Sequence, residues 1–280
     1  MLNLEPDMIV LTRVEEDHLD YYRNLAHIKR EFQKFVHTVP KNGAVIANEK
    51  DKNIQEIVAQ LPSTMIPYNT ESDQAILDTI KKILHVPGRH NRENALAAYK
   101  VGKFLGLTEK QALTGLSKFR GTWRRLEQVG KLEIRNLKLE IISDYAHHPT
   151  EIKASLQALK EQYPKKRVIL AFQPHQHNRT KKLFKEFLAS FDSADILIVN
   201  EIYSVLGRER KKDENISSQD LVHALIKNNR LRTKENTFYT KNLQETKKMI
   251  LKTIDDMDVV VIMGAGDIDR VARELTRSKA

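Results

Sequence analysis

The 280-residue sequence contains no cysteine. That single absence removes disulfides, thiolate metal sites and cysteine nucleophiles. Long apolar runs are missing too: stretches such as "VVVIM" (Val259–Met263) and "ILIV" (Ile196–Val199) fall far short of the ~20 residues a membrane-spanning helix needs. The opening "MLNLEPDMIV" lacks the basic start and long apolar core of a secretion signal, so the expected address is the cytoplasm, with no membrane partner. Aromatic residues make up 6% of the chain and include one tryptophan. No basic strand is interleaved with aromatics, which argues against a nucleic-acid partner despite the net charge of +10. The basic excess is spread in short runs, "PKKR" and "RERKK" among them, that alternate with acids. It reads as a solvated lysine-rich surface with a weak preference for anionic ligands. What is present is a hydrophobic content of 40%, enough for one large domain or two ordinary ones.

Along the chain, "DMIVLT" reads as a buried strand and "DYYRNLAHIKREFQKFVHTV" as a helix, with Leu25, Ile28, Phe32, Phe35 and Val36 at helical spacing. "GAVIAN" predicts a strand, "DKNIQEIVAQL" a helix, and "NRENALAAYKVGKFLGL" with "TEKQALTGLSKF" a helix pair separated by Gly106 and capped by Thr108. Between Pro67 and Val86 two readings stand: "DQAILDTIKKIL" has helical spacing, and a short hairpin fits as well. From Gly121 onward the rhythm is cleaner. Strands are expected at "LEIIS", "RVILAF", "ILIVN", "TFYT" and "VVVIMG", alternating with helices at "PTEIKASLQALKEQY", "KKLFKEFLASF", "SQDLVHALIKN", "LQETKKMILKTI" and "DIDRVAREL". The fold class is α/β with an open, mostly parallel sheet, whose ligands gather outside the carboxyl ends of the strands. The polar residues follow that rule. Asp144, Tyr145, His147 and His148 follow one strand; Gln173, His175 and Arg179 the next; Glu201 and Tyr203 another; Gly264 to Asp267 the last.

The motifs "SDYAHHPTE", "FQPHQHNRT", "NEIYSVLGRE" and "MGAGDI" resemble the C-terminal domain of the Mur ligases. Upstream, "EEDHLD", "GRHNRENALAA" and "FRGTWRRLE" resemble, in the family's order, its acidic-histidine motif, its adenine-site segment and its domain-junction arginine motif. The resemblance implies a truncated central (ATP-binding) domain over residues 1–122 and a Rossmann-like C-terminal domain over residues 123–280. It also implies the family chemistry: a sugar-linked carboxylate attacks the γ-phosphate of ATP, and an amine displaces phosphate from the acyl phosphate to form an amide. The pattern "FQPH…RT" points to the member that adds L-alanine to UDP-N-acetylmuramate in peptidoglycan precursor synthesis, with ATP and Mg2+ as cofactors. A sequence starting at Met1 is then expected to begin inside the central domain. The family's glycine-rich loop ending in Gly-Lys-Thr/Ser does not occur in these residues, so a separate N-terminal Mur ligase segment is an expected partner. A non-catalytic nucleotide- or amino-acid-binding module is the competing expectation.

By resemblance, His147, His148, Arg124 and Arg125 are the catalytic set; His90, Asn91, Asn94, Asp144 and Tyr145 hold the nucleotide; His175 and Arg179 hold substrate carboxylates; His18 binds the metal. Each has a plainer reading from the residues alone. The histidine pair before Pro149 suits helix capping, Asn91 a cap, Arg179 a helix start, His18 a helix start beside acidic neighbours, and the arginine pair a salt bridge. Two positions depart from the family: Gln176 stands where an arginine is usual, and Arg13 where an asparagine is.

Overall fold

The computed structural model describes residues 3–19, 21–134, 136–205, 207, 215–228 and 231–277. The chain divides into two compact units, Met1–Arg120 and Gly121–Ala280, two residues before the expected boundary. In the first, β1 (Met8–Leu11), β2 (Ala44–Asn48) and β3 (Thr64–Tyr68) form a parallel sheet in that order. Alternation along a strand sends successive side chains to opposite faces. Val45 and Ala47 accordingly pack with Ile28 and Val36 of α1 (Leu25–Val36) and Ile54 and Ile57 of α2 (Lys52–Val58). On the other face Ala44 and Ile46 meet Leu77 and Ile80 of α3 (Gln74–Ile83) and Leu96 of α4 (Arg89–Phe104). The helical reading of Asp73–Leu84 therefore holds. β3 was not foreseen; among the described residues it is an edge strand, the place in a sheet where a proline such as Pro67 is tolerated. α1 starts at Leu25, the first of the helically spaced residues, later than the stretch from Asp20: the Asn24 side chain accepts from the His27 N–H and fixes the helix start there. α5 (Glu109–Lys118) opens on the expected Thr108 capping box.

The second unit holds six strands in the order β4 (Glu127–Ile134), β5 (Leu137–Asp144), β9 (Asp258–Met263), β6 (Arg167–Phe172), β7 (Ile196–Asn200), β8 (Thr237–Thr240). Every neighbouring pair is parallel except β4 with β5. The helices are α6 (Pro149–Gln162), α7 (His177–Lys182), α8 (Phe184–Leu188), α9 (Ser218–Asn228), α10 (Leu243–Thr253) and α11 (Asp269–Arg277). Val168, Leu170, Phe172, Val259 and Val261 pack under α6 and the Phe187–Phe191 pair, while Ile169, Ala171, Val260 and Ile262 pack against α10 and α11. Burial on both faces explains the unbroken apolar runs of β6 and β9. The expected helix over Lys181–Phe191 splits at Leu183 into α7 and α8. Among the described residues no helix is long and apolar enough to cross a membrane.

Candidate functional site

The carboxyl ends of β5, β6, β7 and β9 bring the motif residues of the second unit to one edge. The turn after β5 is built on Asp144. Its carboxylate accepts from the Ala146 N–H (2.6 Å), the Leu126 N–H (3.0 Å) and the Ser155 hydroxyl (3.1 Å), and the residue is 3% exposed. Expected to hold the nucleotide, Asp144 instead faces inward and pins the segment before β4 to the start of α6. Burial pushes its carboxyl up to about 6, against the pull of the three donors and the Arg125 charge. A folded-state value above the ordinary 3.8 means that protonated Asp144 favours the fold at low pH, a contribution lost as pH rises through about 6. Asp144→Asn should remove that dependence. Urea midpoints of the two proteins, compared over about pH 4 to 7, should shift in the variant's favour as pH rises. A gap that stays constant with pH would contradict the burial of the charge.

His147 and His148 follow on the same turn. The His148 Nδ1 accepts from the Thr150 N–H, and Glu151 takes the N–H groups of both histidines, so the pair closes a capping box on α6 with Pro149 in its first turn. Burial raises the Glu151 carboxyl, but the His147 charge and those N–H groups outweigh it and hold it below its usual range. The His147 Nδ1 lies 3.0 Å from the Tyr145 carbonyl oxygen.

After β6, Gln173 joins three strand ends. Its amide donates to Asn200 at the end of β7 and to Asp267 after β9, and accepts from the Ile268 N–H. Two residues on, the His175 ring stacks on Tyr203 with centroids 5.6 Å apart. Arg179 donates to the His175 carbonyl at 3.1 Å and is 7% exposed, so it turns inward along α7. Gln176 sits at φ +70 and is buried, its N–H donating to the Tyr203 carbonyl. Rings then run along the edge without a break: Tyr145 to His147 at 5.5 Å, His147 to His175 at 5.9 Å, and His175 to Tyr203. Both arginines of the junction motif lie against Tyr145, Arg124 at 4.9 Å and Arg125 at 5.2 Å from the ring centroid. Trp123 is 66% exposed beside Arg124.

The glycines after β9 admit protein, not open space. A Cβ on Gly264, at φ +149, would stand 2.7 Å from the Gln173 carbonyl oxygen, and one on Gly266 would stand 2.6 Å from the Tyr203 ring. Of the sequence-expected residues, Arg124, Arg125, Asp144, Tyr145, His147, His148, His175 and Arg179 thus share one edge. Part of "NEIYSVLGRE", Leu206 with Arg208 and Glu209, lies outside the described residues. Tyr203 and Gln173 stood inside the motifs without a role. Glu127, which accepts from the Arg124 N–H and from Arg273 146 residues away, carried no local signal.

The remaining expected residues belong to the first unit. His90, Asn91 and Asn94 lie in the first turns of α4, where the Asn91 amide donates to the Pro87 carbonyl at 2.6 Å and Asn94 is exposed. His18 lies seven residues ahead of α1, at φ +50, so it is not a helix-start residue. Its Nε2 is 3.9 Å from Asp17 Oδ2, and among the described residues no three His, Asp or Glu side chains gather as a metal site would require.

Compared with known proteins, residues 124–266 match the family model described as "Mur ligase, glutamate ligase domain", and residues 1–102 match "Mur ligase middle domain". A UDP-N-acetylmuramate–L-alanine ligase of Clostridium tetani is 38% identical over 288 residues, 95% of this chain and 60% of that protein. The chain therefore spans about 60% of the length of the curated relatives it matches. Among solved structures, the UDP-N-acetylmuramate-alanine ligase of Thermotoga maritima superposes with a TM-score of 0.68 at 22% identity, over 98% of this chain and 60% of that one. The folylpolyglutamate synthase of Mycobacterium tuberculosis, complexed with ADP, gives 0.70 at 17% identity over 99% and 65%.

Proposed function

The chain belongs to the Mur ligase family, and from that premise we propose that it serves the ATP-dependent joining of L-alanine to UDP-N-acetylmuramate through an acyl phosphate. In this reading residues 1–122 are part of the central, ATP-binding domain and residues 123–280 the C-terminal domain. The observation that carries it is the row Tyr145–His147–His175–Tyr203, flanked by Arg125, at the carboxyl edge of a parallel sheet. Such an edge offers flat rings to a base and basic side chains to phosphates and carboxylates. Negative charge accumulates both when phosphate is transferred and when it is displaced, so a positioned cation and positioned imidazoles act where it accumulates.

In this scheme His147 and His148 of the second unit face the acceptor, Tyr145 offers its ring to a base, and His175 addresses a substrate carboxylate with Arg179 held behind it; in the first unit, taken by itself, His90, Asn91 and Asn94 of α4 are the nucleotide residues. Asp144 contributes by holding the turn under them. ATP supplies the activation of the carboxylate. His18 and Asp17 offer Mg2+ one nitrogen and one carboxylate, whereas this cation prefers about six ligands, mostly oxygen. These residues alone do not compose a magnesium site.

The 280 residues contain no glycine-rich loop ending in Gly-Lys-Thr/Ser, the backbone cradle that phosphoryl transfer in P-loop enzymes depends on. The second reading is a module that binds nucleotide or amino acid without turnover, and one experiment separates the two. Phosphate release is measured with ATP, Mg2+, UDP-N-acetylmuramate and L-alanine, first with the chain alone and then with an added N-terminal ligase segment bearing such a loop. The expected result is no release alone and alanine-dependent release with the partner. His148→Ala should then lower kcat with little change in KM, and Arg179→Ala should raise KM. Persistent silence in the mixture, with ATP still bound, would favour the binding module.

A further inference from the structure

Arg124 and Arg125 are adjacent in sequence and opposite in circumstance. The Arg124 side chain is 8% exposed. Its Nη2 donates to the carbonyl oxygens of both Gly264 and Gly266, and its Nε, which among the described residues has no hydrogen-bond acceptor, faces Asp269 at 3.9 Å. Its backbone is held as firmly. The N–H donates to Glu127 at 2.8 Å, the carbonyl accepts from the Tyr145 N–H at 2.6 Å, and φ is +54, a conformation a side chain larger than glycine adopts only when its surroundings impose it. The Arg125 side chain, by contrast, is 52% exposed, and its ion pair with Glu151 spans 3.6 Å. A long, half-exposed pair contributes little and exchanges readily for another anion. Swinging Arg124 outward would strand two buried carbonyls and uncover the underside of Tyr145; swinging Arg125 outward would give up the long pair with Glu151 and its contact with the Tyr145 ring.

We infer that Arg124 is a positioning residue, a clamp that sets the Tyr145 ring and the Gly264–Gly266 turn, and that Arg125 alone of the pair meets the phosphates of the ligand. This rests on the nucleotide reading of the same edge. The consequence is that the two arginines differ in a property that loss of structure alone does not change, the salt dependence of binding. A cation that touches the ligand contributes to the salt slope, and one that orders the surface beneath it does not.

The test uses the whole 280-residue chain with ATP as probe, titrated calorimetrically at several ionic strengths, and backbone amide exchange as a second readout. Arg125→Met should weaken ATP binding about tenfold and flatten the salt slope by about one charge. Arg124→Met should weaken binding by a smaller factor, keep the wild-type slope, and speed exchange at Ala265 and Gly266 about tenfold. Arg124→Lys, which can still reach one carbonyl, should restore part of that protection. If Arg124→Met flattens the slope as Arg125→Met does, Arg124 touches the ligand and the inference fails. Unchanged exchange at Ala265 and Gly266 in both Arg124 variants would remove the clamp. Should the wild-type chain bind no ATP, the functional reading falls and the assignment of Arg125 with it, while the exchange measurements still decide whether Arg124 is a clamp.

Discussion

Alanine in place of Gly264 should destabilise the second unit by about 3 kcal/mol, roughly 1–3 from overpacking and about 1 from the backbone. Gly264 stands at φ +149, a conformation that an L side chain resists, and its new Cβ would lie 2.7 Å from the Gln173 carbonyl oxygen and 3.2 Å from Ile268 Cγ2. The nearest atom is backbone, so no rotamer change relieves the contact; the end of β6 or of β9 has to move. Amide hydrogen exchange read along β6 and β9 can follow urea unfolding of this unit. A midpoint lower by about 1–2 M is expected. Gly130→Ala is the control: φ is +156, but its Cβ would meet only the flexible Thr276 side chain at 3.2 Å, and the cost should be clearly smaller. Equal midpoints for wild type and Gly264→Ala would mean that the strand ends are not packed as described.

Gln173→Leu should cost a similar amount, about 3 kcal/mol, by a different route. The amide is 4% exposed and serves Asn200, Asp267 and the Ile268 N–H at once. Leucine fills comparable volume but leaves buried partners without their bonds, each worth about 1–3 kcal/mol when stranded. The partners sit at the ends of β7 and β9, so the damage should reach the His175–Tyr203 stack. Nuclear magnetic resonance of the histidine ring protons would show the His175 signal moving toward its free-solution position. Gln173→Glu keeps the acceptor for Ile268 but places a second carboxylate beside Asp267, and it should fall between wild type and leucine. A leucine variant with the wild-type midpoint and an unmoved His175 signal would assign Gln173 no part in joining the strands.

How much of this was readable beforehand depends on where each residue's partners lie. β5, β6, β7 and β9 were legible because strands buried on both faces need nearly continuous apolar side chains. β4 was missed because it is a sheet edge: Gly130, Lys131 and Glu133 interrupt the alternation, and its register shifts between Gln128 and Gly130. The carboxyl-edge rule alone places the histidines, Tyr145 and Tyr203 together. What it could not decide was direction. Asp144, Arg124 and Arg179 face inward because of partners such as Ser155 and Gly266, and the Arg124 contact to Gly266 spans 142 residues of sequence. Likewise nothing local to "MGAGDI" shows that Gln173 and Tyr203 fill the space beside Gly264 and Gly266.

In the first unit the two outer strands of the sheet are unequal. β3 carries Pro67, which cannot donate a main-chain hydrogen bond, while the "MIVL" of β1 holds neither proline nor charge, with Val10 40% exposed. Among the described residues β1 pairs only with β2. Its outer side is thus a short adhesive template, the feature that natural sheets usually blunt with a lysine or a bulge. A further strand laid along Met8–Leu11 would extend this sheet through main-chain hydrogen bonds, whatever its side chains.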